Sequence, residues 1–147
     1  MEKKSNWIEL NIQDIHHAKS KWKRFFDKGD GTYKLLLFNK DSSNEQLEMV
    51  IGQVEAQAIA IVVEGLIPVR PMIQDVFKST IDAIGYKLNY VLIHSINDGH
   101  YYSSLCYAKD AELIEIDARP ADSIAMALRY ESPIYITDTI FNDYSVK

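Results

Sequence analysis

One cysteine, Cys106, is all the thiol chemistry this chain carries. No intrachain disulfide can frame it, and no paired-cysteine metal knot is available. Histidines number four, and none falls in an H-E-x-x-H spacing. His16 and His17 are neighbours, while His94 and His100 flank a hairpin and could face one another across it. A Gly-rich phosphate loop and a G-x-S-x-G nucleophile elbow are both missing. Apolar runs are short. None approaches the roughly 20 residues of a membrane helix, and the opening MEKKSNWIEL lacks the apolar stretch of a signal peptide. The expectation is a cytoplasmic protein with no membrane segment. Basic excess is absent too, with 16 Lys and Arg against 21 Asp and Glu, net charge -5. That balance argues against indiscriminate coating of nucleic acid, which depends on cations neutralising phosphates. It leaves room for an enzyme that grips phosphate locally.

What is present is an ordinary globular composition, 47% hydrophobic and 25% charged over 147 residues, with only 6 Gly and 4 Pro. This length fits a single domain, 1–147. Ile8, Leu10 and Ile12 alternate with Glu9 and Asn11, the period of a half-buried strand expected over Trp7–Ile12 and toward Ile15. Strands are expected over Thr32–Phe38 and Leu47–Ile51, separated by a polar loop NKDSSNEQ. Residues 53–65, QVEAQAIAIVVEG, read as a helix apolar nearly all round and therefore buried, closed by Gly65. The two prolines of LIPVRP keep the next segment extended. Ile73, Val76, Phe77, Ile81 and Ile84 recur at helical spacing up to Gly85. Leu88–Ser95 and Tyr101–Ala108 flank the hairpin signal Asp98-Gly99. A third strand, AELIEID, leads into a helix within 116–130, and a short strand ends near Thr137. The order βββ-αα-βββ-α-β predicts an α+β fold with three main helices and a mixed, mostly antiparallel sheet.

An offset of 65 residues aligns Ile51 with Ile116, Ala56 with Ala121, Ile59 with Ile124, Ala60 with Ala125 and Pro68 with Pro133. Either a strand-turn-helix unit is duplicated or two buried helices share small residues by chance. Under duplication, Glu55 and Asp122 would lie near one cleft.

The densest charge lies in IDARPADSIAMALRY. Pro120 suits the first helical position, Asp122 meets the positive end of the helix dipole, and Arg129 complements the other end. Asp117 and Arg119, at a strand end beside a helix N-terminus, admit two readings: a grip on a phosphate and a cation, or an ion pair that orders the turn. Arg70 between prolines and Asp75 at a helix start admit the same two, as does Glu55. KSKWKRFF gathers Lys21, Lys23 and Arg24 around Trp22, Phe25 and Phe26. This cluster would either track a nucleic-acid backbone or dock as a short amphipathic helix.

IGQVEAQAIAIVVEG, VRPMIQDVF and IDARPADSIAMALRYESPIYI together resemble the bifunctional nuclease family, a group of small bacterial and plant proteins. Its pattern runs approximately I-G-x-x-E-A-x-A-I-A, P-R-P-x-T-H-D-L, D-A-R-P-S-D-A-I-A-L-A-x-R and P-I-Y-V. The resemblance is strongest over 47–140, with 16–31 as a basic elaboration. It implies a self-associating α+β domain, a dimer or larger, that cleaves DNA and RNA. The matching polar positions are Glu55, Arg70, Asp75, Asp117, Arg119 and Asp122. For such cleavage the expected arrangement is Asp117, Asp122 and either Glu55 or Asp75 holding one Mg²⁺ or Mn²⁺ that activates water, while Arg119 and Arg70 clamp the phosphate. Ile73 and Gln74 stand where the family has T-H, Ala121 where it has Ser, and Val69 where it has the first Pro. An amide cannot act as a base near neutrality, so the contrasting expectation is a non-catalytic oligomeric binding module of the same fold.

Overall fold

The computed structural model describes residues 4–17 and 31–146. In chain order the elements are strands β1 (Trp7–His17), β2 (Thr32–Asn39) and β3 (Ser42–Gly52), helices α1 (Gln53–Val63) and α2 (Ile73–Ala83), and strands β4 (Lys87–Asn97), β5 (His100–Lys109) and β6 (Glu112–Ala118). Helix α3 (Pro120–Tyr130), strand β7 (Ile134–Thr137) and helix α4 (Asp138–Tyr144) complete the chain. All seven strands join one sheet in the order β3-β2-β1-β7-β4-β5-β6. Only the β4–β7 pairing is parallel. This is the α+β architecture that the element order predicts.

Local chemistry explains the hairpins. Asp98 and Gly99 both take positive φ, 50° and 76°, the backbone of a two-residue turn that matches strand twist. The β2–β3 connection is tighter than expected. Most of the polar segment after Asn39 is strand, because Lys40 and Asp41 alone make the turn. Tyr33, Leu35 and Leu37 alternate inward along β2, and Leu47, Met49 and Ile51 do the same on β3, so period-2 patterning outweighs the local polarity of Ser and Asn.

The principal core lies between the sheet and the pair α1 and α3. Ala56, Ile59 and Ala60 of α1 and Ala121, Ile124 and Ala125 of α3 are all buried. Small residues at these positions let two helices pack closely. α1 is not buried all round, however: Val54 is 72% exposed and Val63 47%. On the opposite sheet face, Trp7, Tyr90 and Cys106 form a smaller cluster with Leu92 and Tyr135. Cys106 is a core thiol there, and burial pushes its pKa up.

α2 buries no residue fully. It is tethered by polar contacts instead. Arg129, whose side chain is 5% exposed, donates from Nε to Asp75 Oδ1 at 3.0 Å and from Nη1 to the carbonyls of Ala58 and Ala125. It thereby joins all three main helices. At the far end of α2, Asp82 receives Lys78 and Lys87, both at 2.9 Å. α4 was not foreseen. It covers the core with Ile140 and Phe141, the latter fully buried. No helix among the described residues is long and apolar enough to cross a membrane.

Candidate nucleic-acid site

The ends of β3 and β6 pass directly into α1 and α3, so the two strand-to-helix junctions are local equivalents. Between them lies a cleft of about 410 Å³, closed on a third side by the β4–β5 turn and the start of β5. Its lining includes Gly52 and Glu55 from the first junction, Asp117 and Arg119 from the second, and His100 and Tyr102 from the turn side. The expectation that Glu55 and Asp122 lie near a common place is met through Arg119. That residue is the N-cap of α3, with extended backbone. Its Nε lies 2.7 Å from Asp122 Oδ2 and its Nη1 lies 2.9 Å from Glu55 Oε1. Asp122's carboxylate, and more weakly Glu55's, hold the guanidinium above the ordinary arginine pKa, so it is a permanent cation.

Sequence places Glu55 in the first turn of α1, and Gly52 lets it turn back. A Cβ at Gly52 would stand 2.5 Å from Glu55 Oε2, so the flexible carboxylate would have to shift from its present place. The glycine thus makes room for the carboxylate that orients Arg119. A guanidinium carries five donors, and these pairs use one on Nε and one on Nη1. The remaining N–H groups have no partner among the described residues, and the side chain is 69% exposed. It is a preset fork for an anion.

Glu55 and Asp122 each direct an oxygen to Arg119, and no group of three or more His, Cys, Asp or Glu among the described residues is arranged to hold a metal ion. Of the other expected residues, Asp75 accepts the Met72 N–H at 2.8 Å and pairs with Arg129. Its work is to cap and anchor α2, and it does not line the cleft. Arg70 is exposed on the α1–α2 loop, also outside the lining. Lys21, Lys23 and Arg24 lie outside the described residues.

Several lining residues carry no signal in sequence spacing. His100 pairs across the hairpin with Asn97 rather than His94, and His94 Nδ1 sits 3.0 Å from its neighbour Ser95 Oγ. Of the two, His100 lines the cleft and His94 does not. Tyr101 stacks edge-on with Tyr144, and burial pushes its pKa up. Beneath the second junction, fully buried Ser103 donates to the Ala118 carbonyl at 2.6 Å and shares a 2.8 Å hydrogen bond with Ser123, also buried. This pair fixes the backbone between Asp117 and Arg119 against β5.

Residues 35–147 match the bifunctional nuclease domain. A protein of Mycobacterium tuberculosis strain H37Rv, described as uncharacterized, is 36% identical over 106 residues, 72% of this chain and 63% of its own length. Bifunctional nuclease 1 of Oryza sativa subsp. japonica is 26% identical over 118 residues, 78% of this chain and 36% of the rice protein. Bifunctional nuclease 2 of the same plant is 28% identical over 105 residues, 69% and 32% of the two lengths. The chain therefore spans under two thirds of the mycobacterial relative and about a third of the rice proteins.

Proposed function

We propose, from the premise that the chain belongs to the bifunctional nuclease domain family, that it hydrolyses phosphodiester bonds of DNA, RNA or both in the cleft between the β3–α1 and β6–α3 junctions. The observation that carries this reading is the Arg119 guanidinium, fixed by Glu55 and Asp122 with N–H groups to spare. Phosphoryl transfer needs charge on the phosphate neutralised and the groups around it preorganised. Arg119 supplies the first and its two carboxylates the second. Tyr102, 41% exposed at the cleft, offers a face on which an unstacked base can rest. That geometry favours single-stranded substrates over duplex. End-labelled single-stranded DNA and RNA, incubated with Mg²⁺, Mn²⁺ or chelator, test the reading. Cutting that an identically purified Asp117→Ala/Arg119→Ala variant lacks supports it, and equal cutting by both proteins or by neither overturns it.

A second reading, a non-catalytic self-associating module, draws on a different observation. Ile67 is 93% exposed, Val69 100% and Ile73 73%, in one run of chain that also carries Arg70. So much exposed apolar surface is unusual for a monomer. Sedimentation of the wild type beside Ile67→Ser/Val69→Ser tests it, a monomeric wild type being the contrary result.

A further inference from the structure

We infer that His100 is the proton-transfer residue of this cleft, an assignment that rests on the nuclease reading and completes it. The cleft lining brings together Glu55 from α1, Asp117 and Arg119 from the β6–α3 junction, and His100, Tyr101 and Tyr102 from β5, with Asp98 in the adjoining turn. Arg119 is held above the ordinary arginine value, so it gives up no proton. Tyr101 is pushed up by burial and by Tyr144, so it keeps its own. Glu55 is engaged by Arg119 and holds that guanidinium in place. Among the side-chain types present, imidazole is the one that both takes and returns a proton near neutrality.

The position suits the task. His100 is exposed at the cleft, next to a turn whose backbone is fixed by Asp98 and Gly99. Gln74 offers no alternative, being an amide on α2, away from the cleft lining. In the resulting step the imidazole accepts a proton from water as the water oxygen bonds to phosphorus. The bond from phosphorus to the leaving sugar oxygen breaks, and its electron pair stays on that oxygen. Attacking and leaving oxygens lie on opposite sides of phosphorus, so the leaving oxygen takes its proton from solvent water and the imidazolium returns its own to solvent. No oxidant, reductant or co-reactant beyond water enters. Arg119 neutralises the phosphoryl oxygens throughout.

Cleavage of a labelled single-stranded oligonucleotide by the wild type and His100→Gln tests the assignment. His100→Gln leaves an exposed turn position of similar size, and its melting curve serves as the folding control. General acid–base catalysis contributes on the order of 10²–10⁴-fold, so kcat is expected to fall about 100-fold or more with KM within about threefold. The wild-type pH profile is expected to carry a limb that the variant lacks. Added imidazole is expected to restore part of the variant's rate. A His100→Gln enzyme that cuts at the wild-type rate, or keeps that limb, overturns the assignment and leaves the nuclease reading standing. A wild type that cuts nothing overturns both.

Discussion

Arg119 is the residue on which the site turns, and its removal separates chemistry from stability. The side chain is mostly exposed, and surface ion pairs contribute only about 0–1 kcal/mol. Arg119→Ala is therefore expected to cost at most about 1 kcal/mol in urea unfolding while cutting loses about 100-fold or more, the scale of one preorganised donor. Arg119→Lys should rescue little, since a point charge cannot bridge Glu55 and Asp122 and still present a fork. A second residue, Asp82, governs acid stability. Hydrogen bonds from Lys87, then Lys78, hold its carboxyl down at about 2, against about 3.9 in an unfolded chain. Its contribution is complete above the unfolded value and is lost as pH falls through about 2. The melting-temperature gap between wild type and Asp82→Asn is expected to hold from pH 7 to about 5 and close between about 4 and 2. A gap that stays constant down to pH 2 would contradict this origin. Glu55, Arg119 and Asp122 were legible in the sequence because helix-start charges are conspicuous. His100 was not, since only the folded hairpin shows which of two histidines reaches the cleft. Asp75 admits two readings for the same physical reason: a carboxylate that caps a helix and one that serves a site look alike in sequence.

At the scale of elements, buried polar contacts decide where α2 and the β6–α3 junction sit. α2 has no fully buried residue, so Arg129 holds it through Asp75 and the Ala58 carbonyl. Removing one partner of a buried charged pair typically costs 3–5 kcal/mol. With Asp75 partly exposed, Arg129→Met is expected to cost about 3 kcal/mol in chemical unfolding. A change below about 1 kcal/mol would show that α2 is held otherwise. Sequence suggested Arg129 as a partner for the helix dipole and gave no hint of its burial, because a long cationic side chain usually reaches water. Ser103 and Ser123 behave as a unit. Ser103→Ala is expected to cost about 1–3 kcal/mol by orphaning the Ala118 carbonyl and Ser123. Adding Ser123→Ala should cost less than its single effect, a non-additivity that a double-mutant cycle reads directly. Strands and main helices followed from periodicity, whereas α4 did not, because seven residues span too few turns for a helical period to register.

Across the whole molecule, a three-stranded meander followed by a helix occurs twice, as β1-β2-β3-α1 and β4-β5-β6-α3, with β7 between the two meanders in the sheet. The offset of 65 residues places Ala56, Ile59 and Ala60 on the buried face of α1 where Ala121, Ile124 and Ala125 stand on α3. The internal echo is therefore a repeat of packing positions. It does not extend to the strand ends, since Ile51 is 7% exposed and Ile116 43%. Putting the cleft between the two junctions follows from this arrangement, because each strand end delivers its charges where the paired helices begin. Sequence motifs marked both junctions but not the cleft itself, which exists only once α1 and α3 pack side by side. Backbone amide shifts, recorded as a short single-stranded oligonucleotide is added to the protein, test that placement most directly. The account predicts that the largest changes fall on Gly52, Glu55, His100, Tyr102 and Ala118–Arg119. Changes confined to residues 66–77, or none at saturating oligonucleotide, would contradict it.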